Sequence, residues 1–193
     1  PLPLPDTGIS GISMRASAAV AVSESPFTFS QEVQAHQGQK WECEISLPPM
    51  IREKAEQWIS FFLKLNGAEG TFLLGPEGAK EPRGPATGVP AVSGAGQSGQ
   101  SLQTSGWTAS TAGIMRMGDY FSLGSGTAAR LYKIVNDVNS DGSGNATLDF
   151  WPRLRMAPGD GDLLTVRDAS GVFRLSSNTM PHNIDTALFY TGM

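Results

Sequence analysis

The chain has 193 residues and a formal net charge of −4, which suits one domain or a small domain with another inserted into it. Charged residues make up only 17% and form no basic block, which argues against an electrostatic groove for nucleic acid. The single cysteine, Cys43, excludes an internal disulfide framework and a multi-cysteine zinc site, while 23 glycines and 13 prolines favour strands joined by many turns.

Pro1-Leu2-Pro3-Leu4-Pro5 cannot form regular hydrogen-bonded structure and is expected to be an extended arm. It has neither a charged n-region nor an apolar h-region, and no run approaches the ~20 apolar residues of a membrane helix. Production and assembly in the cytoplasm are therefore expected. Met14 to Ser23 alternates weakly and predicts a strand, which Ser25-Pro26-Phe27-Thr28-Phe29 interrupts. Gln31 to Ala35 starts another strand, and His36-Gln37-Gly38-Gln39-Lys40 reads as a turn. Trp41, Cys43, Ile45 and Leu47 then alternate with Glu42, Glu44 and Ser46, the period of a half-buried strand. Cys43 falls on its inward face and is expected to be a buried, inert thiol.

Pro48 and Pro49 end that strand and set up a helix over residues 50–66. Ile51, Ala55, Trp58, Ile59, Phe62 and Leu65 recur at spacings of three and four, forming one apolar stripe. Phe61 lies off that stripe, so the helix is expected to be covered on more than one face. Trp58, Phe61 and Phe62 are the candidate packing or subunit-contact residues. Asn66 and Gly67 close the helix, and Thr71 to Gly75 follows as a short apolar strand.

Residues 76–100 are rich in glycine and proline and nearly devoid of bulky apolar side chains, so they read as a linker without a core. Strand signals resume over 101–170. Trp107, Ile114 to Met117 and Tyr120 to Leu123 are followed by Arg130 to Val138, a turn at Asn139 to Gly144, and Asn145 to Trp151 as the second arm of a hairpin. Leu163 to Val166, Val172 to Leu175 and Ala187 to Tyr190 complete the set. Gly171 to Leu175 reads as a return to the first block. The expected fold is mainly β: residues 1–75 and 171–193 form a β-sandwich with one flanking helix, interrupted by an inserted barrel-like domain of about six short strands.

Three patterns invite a chemical reading. Gly94-Ala95-Gly96-Gln97-Ser98-Gly99 has the letters of a dinucleotide fingerprint, but neither a strand before it nor a helix after it is predicted, so a flexible linker is expected. Asp137-Val138-Asn139-Ser140-Asp141-Gly142 matches half of a calcium loop. The twelfth position is Leu148 rather than a glutamate, and a hairpin turn accounts for the same residues. His36 and His182, with Asp119, Asp160 and Asp162 as partners, form no nucleophile elbow, zinc-helix or phosphate-loop pattern. No catalytic, cofactor-binding or metal-binding residue is therefore expected, and the chain is read as a non-enzyme.

Several segments in order carry a resemblance. They are Ser25-Pro26-Phe27-Thr28, Gln37 to Trp41, Leu47-Pro48-Pro49-Met50, the helix through Trp58 and Phe61, and Gly70 to Gly75. In the insert they are Gly118-Asp119-Tyr120 to Gly124, Leu131-Tyr132-Lys133, Asp141 with Gly144, and Trp151-Pro152-Arg153-Leu154-Arg155; Gly171 to Leu175 follows. Over most of residues 20–180 the chain resembles the distal tail (baseplate hub) and minor tail proteins of long-tailed siphophages that infect Gram-negative bacteria. The resemblance implies a virion protein of the tail tip that assembles as a ring, a hexamer in expectation. Its implied neighbours are the tail tube, tape-measure and tip or hub proteins, and its implied role is conduit and adaptor in host attachment and DNA delivery. It implies no cofactor, no stable nucleic-acid binding and no membrane. The competing reading is a non-catalytic carbohydrate-binding β-module, with Trp107, Tyr120, Tyr132 and Trp151 as candidate platforms.

Overall fold

The computed structural model describes residues 1–5, 8–180, 183–184 and 189–191, with side chains through 180. The fold is mainly β, with one α-helix and a nearly closed six-stranded, barrel-like sheet.

The first block starts with a long antiparallel hairpin of β1 (Gly11–Glu24) and β2 (Gln31–Ser46). Its register runs from Gly11 opposite Ser46 to Glu24 opposite Gln31. The expected turn at His36 to Lys40 is instead strand. Ala18 pairs with Gln39 and Val20 with Ala35, so β2 bulges there and the ladder continues beyond. Gly38 permits this, since a Cβ at that position would lie 3.2 Å from the Cβ of Ala19. A local run of polar residues thus marks a bulge, not a reversal.

The predicted helix begins later than residue 50. Met50 and Ile51 form a short strand, β3, and α1 covers Arg52–Leu65. Asn66 ends it in the left-handed conformation (φ 50°), with its N–H donating to Leu63 O. Ala55, Trp58, Phe61 and Leu65 are buried, and β4 (Phe72–Leu74) packs beside them. The N-terminal arm is also held: Leu2 N–H donates to Thr71 O at 2.9 Å and Leu73 N–H to Leu2 O at 3.2 Å.

The second core belongs to a sheet of six strands: β5 (Gly88–Val92), β6 (Ser101–Trp107), β7 (Tyr120–Leu123), β8 (Arg130–Ile134), β9 (Ala146–Trp151) and β10 (Leu164–Thr165). Their order is β10-β7-β8-β9-β6-β5. The two ends meet where Val92 N–H donates to Asp162 O and Ala91 bridges Leu163. Phe121, Tyr132 and Phe150 pack against one another in its interior, with centroids 5.1–5.4 Å apart. Residues 76–100 are accordingly not a coreless linker. Ala86 and Val92 are buried in the barrel core, and β5 is a wall strand. Its glycine content has a steric cause: a Cβ on Gly88 would lie 2.3 Å from Gly106 O, and one on Gly106 would lie 2.3 Å from Val89 O. Nor is the Gly94 to Gly99 loop loose. The Gln97 side chain donates to Ser93 O and Gln103 O and accepts from Gln103 N–H.

All six barrel strands lie in sequence between β4 and β11 (Gly171–Phe173), and β11 pairs antiparallel with β4, Gly171 opposite Leu74. The C-terminal strands β12 (Asn183–Ile184) and β13 (Phe189–Thr191) pair with each other, and β13 pairs with β3. Of the expected last strand, Ala187 and Leu188 lie outside the described residues, as does His182.

Candidate assembly interface

Trp41 fixes the hairpin base to the barrel. Its indole N–H donates to Leu131 O at 3.1 Å, and its ring meets Trp151 edge-on at 4.4 Å and Tyr120 at 6.3 Å. Past the bulge, among the described residues, the hairpin contributes nothing to either core. Every residue from Ala18 to Glu24 and from Gln31 to Gly38 is exposed, and among the described residues no third strand pairs with either edge. This arm extends about 20 Å, at ~3.3 Å per residue.

The arm is nevertheless two-faced. Directly opposed residues share a face in an antiparallel pair, and faces alternate along each strand. Val20 with Ala35 and Val22 with Val33 therefore line one side, while Ala21 with Gln34 and Ser23 with Glu32 line the other. Val20, Val22 and Val33 retain 50%, 58% and 61% of their surface. At the tip, Phe27 is 90% and Phe29 is 74% exposed. The tip is nonetheless built: Phe29 N–H donates to Ser25 O at 2.9 Å, and Ser25 N–H to Ser30 O at 3.0 Å. A hairpin of two strands is marginal in water by itself. An apolar face and open edges on such an element make a surface for another chain.

A groove of about 790 Å³ lies at the opposite end of the hairpin. Its floor combines Trp41, Cys43 and Ile45 of β2 with Phe61 and Phe62 of α1 and Phe173 of β11. Burial pushes the Cys43 thiol up to about 11 from its ordinary 9.0, so the neutral, unreactive form prevails. Arg155 and Arg174 stand at the rim. They donate to the Gln39 and Ala68 carbonyls, and neither has a carboxylate partner among the described residues. Nearby, Arg130 Nε is buried without an acceptor.

The helix aromatics divide between two roles. Trp58 and Phe61 are buried in the chain's own core, where Phe61 meets Phe72 edge-on at 5.8 Å, which accounts for its place off the stripe. Phe62 is only half-buried and belongs to the groove wall. The sequence does not mark the arm's valines or Phe29 as a surface, and Phe27 enters only within the Ser25 to Thr28 segment of the resemblance. The valines' signal was the alternation at Val20 and Val22 and again at Val33 and Ala35, obscured by the supposed turn after it.

The other candidates do not converge. Exposed His36 lies on the arm and hydrogen-bonds to none of the aspartates. Asp119 is buried, and its carboxylate accepts from the backbone N–H groups of Arg83, Gly84 and Arg116 at 2.7–3.1 Å. Asp160 and Asp162 accept from Gly94 N–H and Gly159 N–H, bracing turns. In the would-be calcium loop, Asp137, Asn139 and Asp141 accept from the backbones of Met117, Gly113 and Ser143, so their oxygens diverge. Hydrogen bonds from the Asn145 N–H and side-chain amide, then from Ser143 N–H, hold the Asp141 carboxyl below the usual carboxylate range. Among the described residues no acidic, histidine or cysteine cluster could hold a metal ion. Gly94 to Gly99 joins β5 to β6, without the helix that a pyrophosphate cradle requires. Trp107, Tyr120 and Tyr132 are buried, and Trp151 packs on Trp41, so none is an open sugar platform.

No family model matches the chain, and no curated protein matches it significantly. No helix among the described residues is long and apolar enough to cross a membrane. The arm and the groove are thus the features on which a functional reading can stand.

Proposed function

We propose that this protein is a structural component of a phage tail tip, assembling as a ring that joins the tail tube to the tip or hub complex. In this role it is a conduit and adaptor during host attachment and DNA delivery. The observation that carries the reading is the arm, a two-stranded ribbon with an apolar face, open edges and two exposed phenylalanines. Such a ribbon is stable and soluble when another chain covers it, and a repeated contact of this kind generates a ring. Hexameric closure, the tube and tape-measure proteins as neighbours, and a location in the virion complete the proposal. The sequence resemblance to distal tail proteins supports each of these. A role in packing also agrees with polar side chains that brace turns and backbone amides instead of converging.

Purified virions and electron microscopy test it. Antibody to this chain should label the tail tip, and particles lacking the protein should have tubes without a tip complex. Labelling absent from particles, or tails of normal structure without the protein, would overturn the reading.

A further inference from the structure

The groove and the arm tip are complementary in both shape class and charge. The tip offers Phe27 and Phe29 flanked by Glu24 and Glu32, which make no ion pair among the described residues. The groove offers an apolar floor; of its charged lining, Glu42 and Glu44 are already paired with Lys40 and Arg15, so Arg155 and Arg174 remain as the charges without carboxylate partners among the described residues. We infer that the arm tip of one copy docks in the groove of a second copy, with Phe27 and Phe29 on the Trp41–Phe62 floor and Glu24, which shares the valine face, toward Arg155 and Arg174. This deepens the ring reading by naming the contact, and rests on it in taking the partner to be another copy.

The chain's own tip cannot reach its own groove. The groove takes Trp41, Cys43 and Ile45 from the base of β2, and the ladder runs unbroken in direction from there to Gln31. At ~3.3 Å per residue, about 30 Å separates Trp41 from the tip. Tip and groove are separate surfaces, so each copy can use its tip on one side and its groove on the other; on the ring reading the contact is head-to-tail, the kind that closes into a ring when its rotation closes. Two phenylalanines bury ~150–250 Å² each, short of the roughly 800 Å² per partner of a stable interface. The apolar arm face of Val20, Val22 and Val33 supplies the remaining area.

Ser176 provides the test, because it is exposed and lines the groove, while Cys43, the only native cysteine, is too weakly acidic to report. Under mild oxidant, Phe29→Cys with Ser176→Cys in a Cys43→Ser background should give disulfide-linked dimers and longer ladders. The longer ladders should disappear when Ser176 is restored. In the otherwise native chain, Phe27→Ser/Phe29→Ser and Arg155→Glu/Arg174→Glu should each weaken self-association by roughly thirtyfold or more, the scale of an aromatic hot spot. Sedimentation should show that mixing these two variants restores a dimer and nothing larger, since one intact tip then meets one intact groove. Unchanged circular dichroism and melting temperature would show that the variants remain folded. Longer ladders that persist when Ser176 is restored, crosslinks that never form, or variants that associate like wild type would each overturn this docking. A persistent tip-to-tip crosslink would leave the ring reading standing, because virion labelling decides that separately.

Discussion

Phe29 combines two features that a solitary monomer has no use for. Its ring is 74% exposed, and its backbone sits at φ 54°, the left-handed region that bulky residues avoid. Glycine or asparagine would adopt that conformation more easily, and a bulky residue there costs on the order of 1–3 kcal/mol. An outlier held at an exposed tip points to a use for the side chain itself. Phe29→Gly should therefore separate fold from function. The monomer's melting temperature should hold or rise slightly, while self-association measured by sedimentation weakens. A variant that melts lower but associates normally would show that the ring serves the tip's own structure.

At the scale of elements, β1 and β2 behave as two different objects joined at the bulge. Below it, Ile12, Met14, Trp41, Cys43 and Ile45 pack against the helix block or the barrel edge; above it every strand residue is exposed. Backbone hydrogen bonds in an exposed two-stranded ribbon open with little free energy, whereas barrel amides need near-global unfolding. Amide exchange should show residues 18–24 and 31–38 exchanging quickly in dilute monomer, and slowing by at least about tenfold when copies assemble, while β6 to β9 stay protected throughout. Equal arm protection in both states would mean that assembly does not use the arm. This division also marks the limit of what the sequence disclosed. The stripe Ala55, Trp58, Leu65 and the alternation from Trp41 to Leu47 are strong periodic signals because each is covered within its own chain. Val20, Val22 and Val33 follow the same two-residue period, but valines amid Ala, Ser and Gln carry little contrast, and all three remain exposed. Residues 76–100 misled for a different reason. A barrel wall can be built from Gly88, Pro90 and Val92 where backbones approach closely, and composition alone reads that as an absence of core.

The whole molecule has two cores whose union rests on few residues. One gathers α1, β4 and the hairpin base; the other is drawn from residues 86–166 of the barrel. Between them lies a small cluster of Tyr120, Leu131 and Ala169, against which Met14 and Trp41 pack. The chain also crosses twice, at β4 and β11, where Gly75 and Gly171 admit close backbone approach: a Cβ on Gly75 would lie 2.4 Å from Ala169 O. Because each core is closed in itself, cooperativity between them depends on that junction, and Trp41 is its largest member and sole indole donor to Leu131 O. Trp41→Ala removes the hydrogen bond, the Trp151 edge contact and much of the junction's apolar cover. Large-to-small changes of this type cost ~3–5 kcal/mol when the site is fully buried, and less at a half-buried one. Its more telling effect is on the form of unfolding. Calorimetry of wild type should give one transition whose van't Hoff and calorimetric enthalpies agree, while Trp41→Ala should give two, the barrel melting at nearly its original temperature and the helix block well below it. A single lowered transition in the variant would mean that the β4–β11 crossing, not the Trp41 junction, binds the two cores into one cooperative unit.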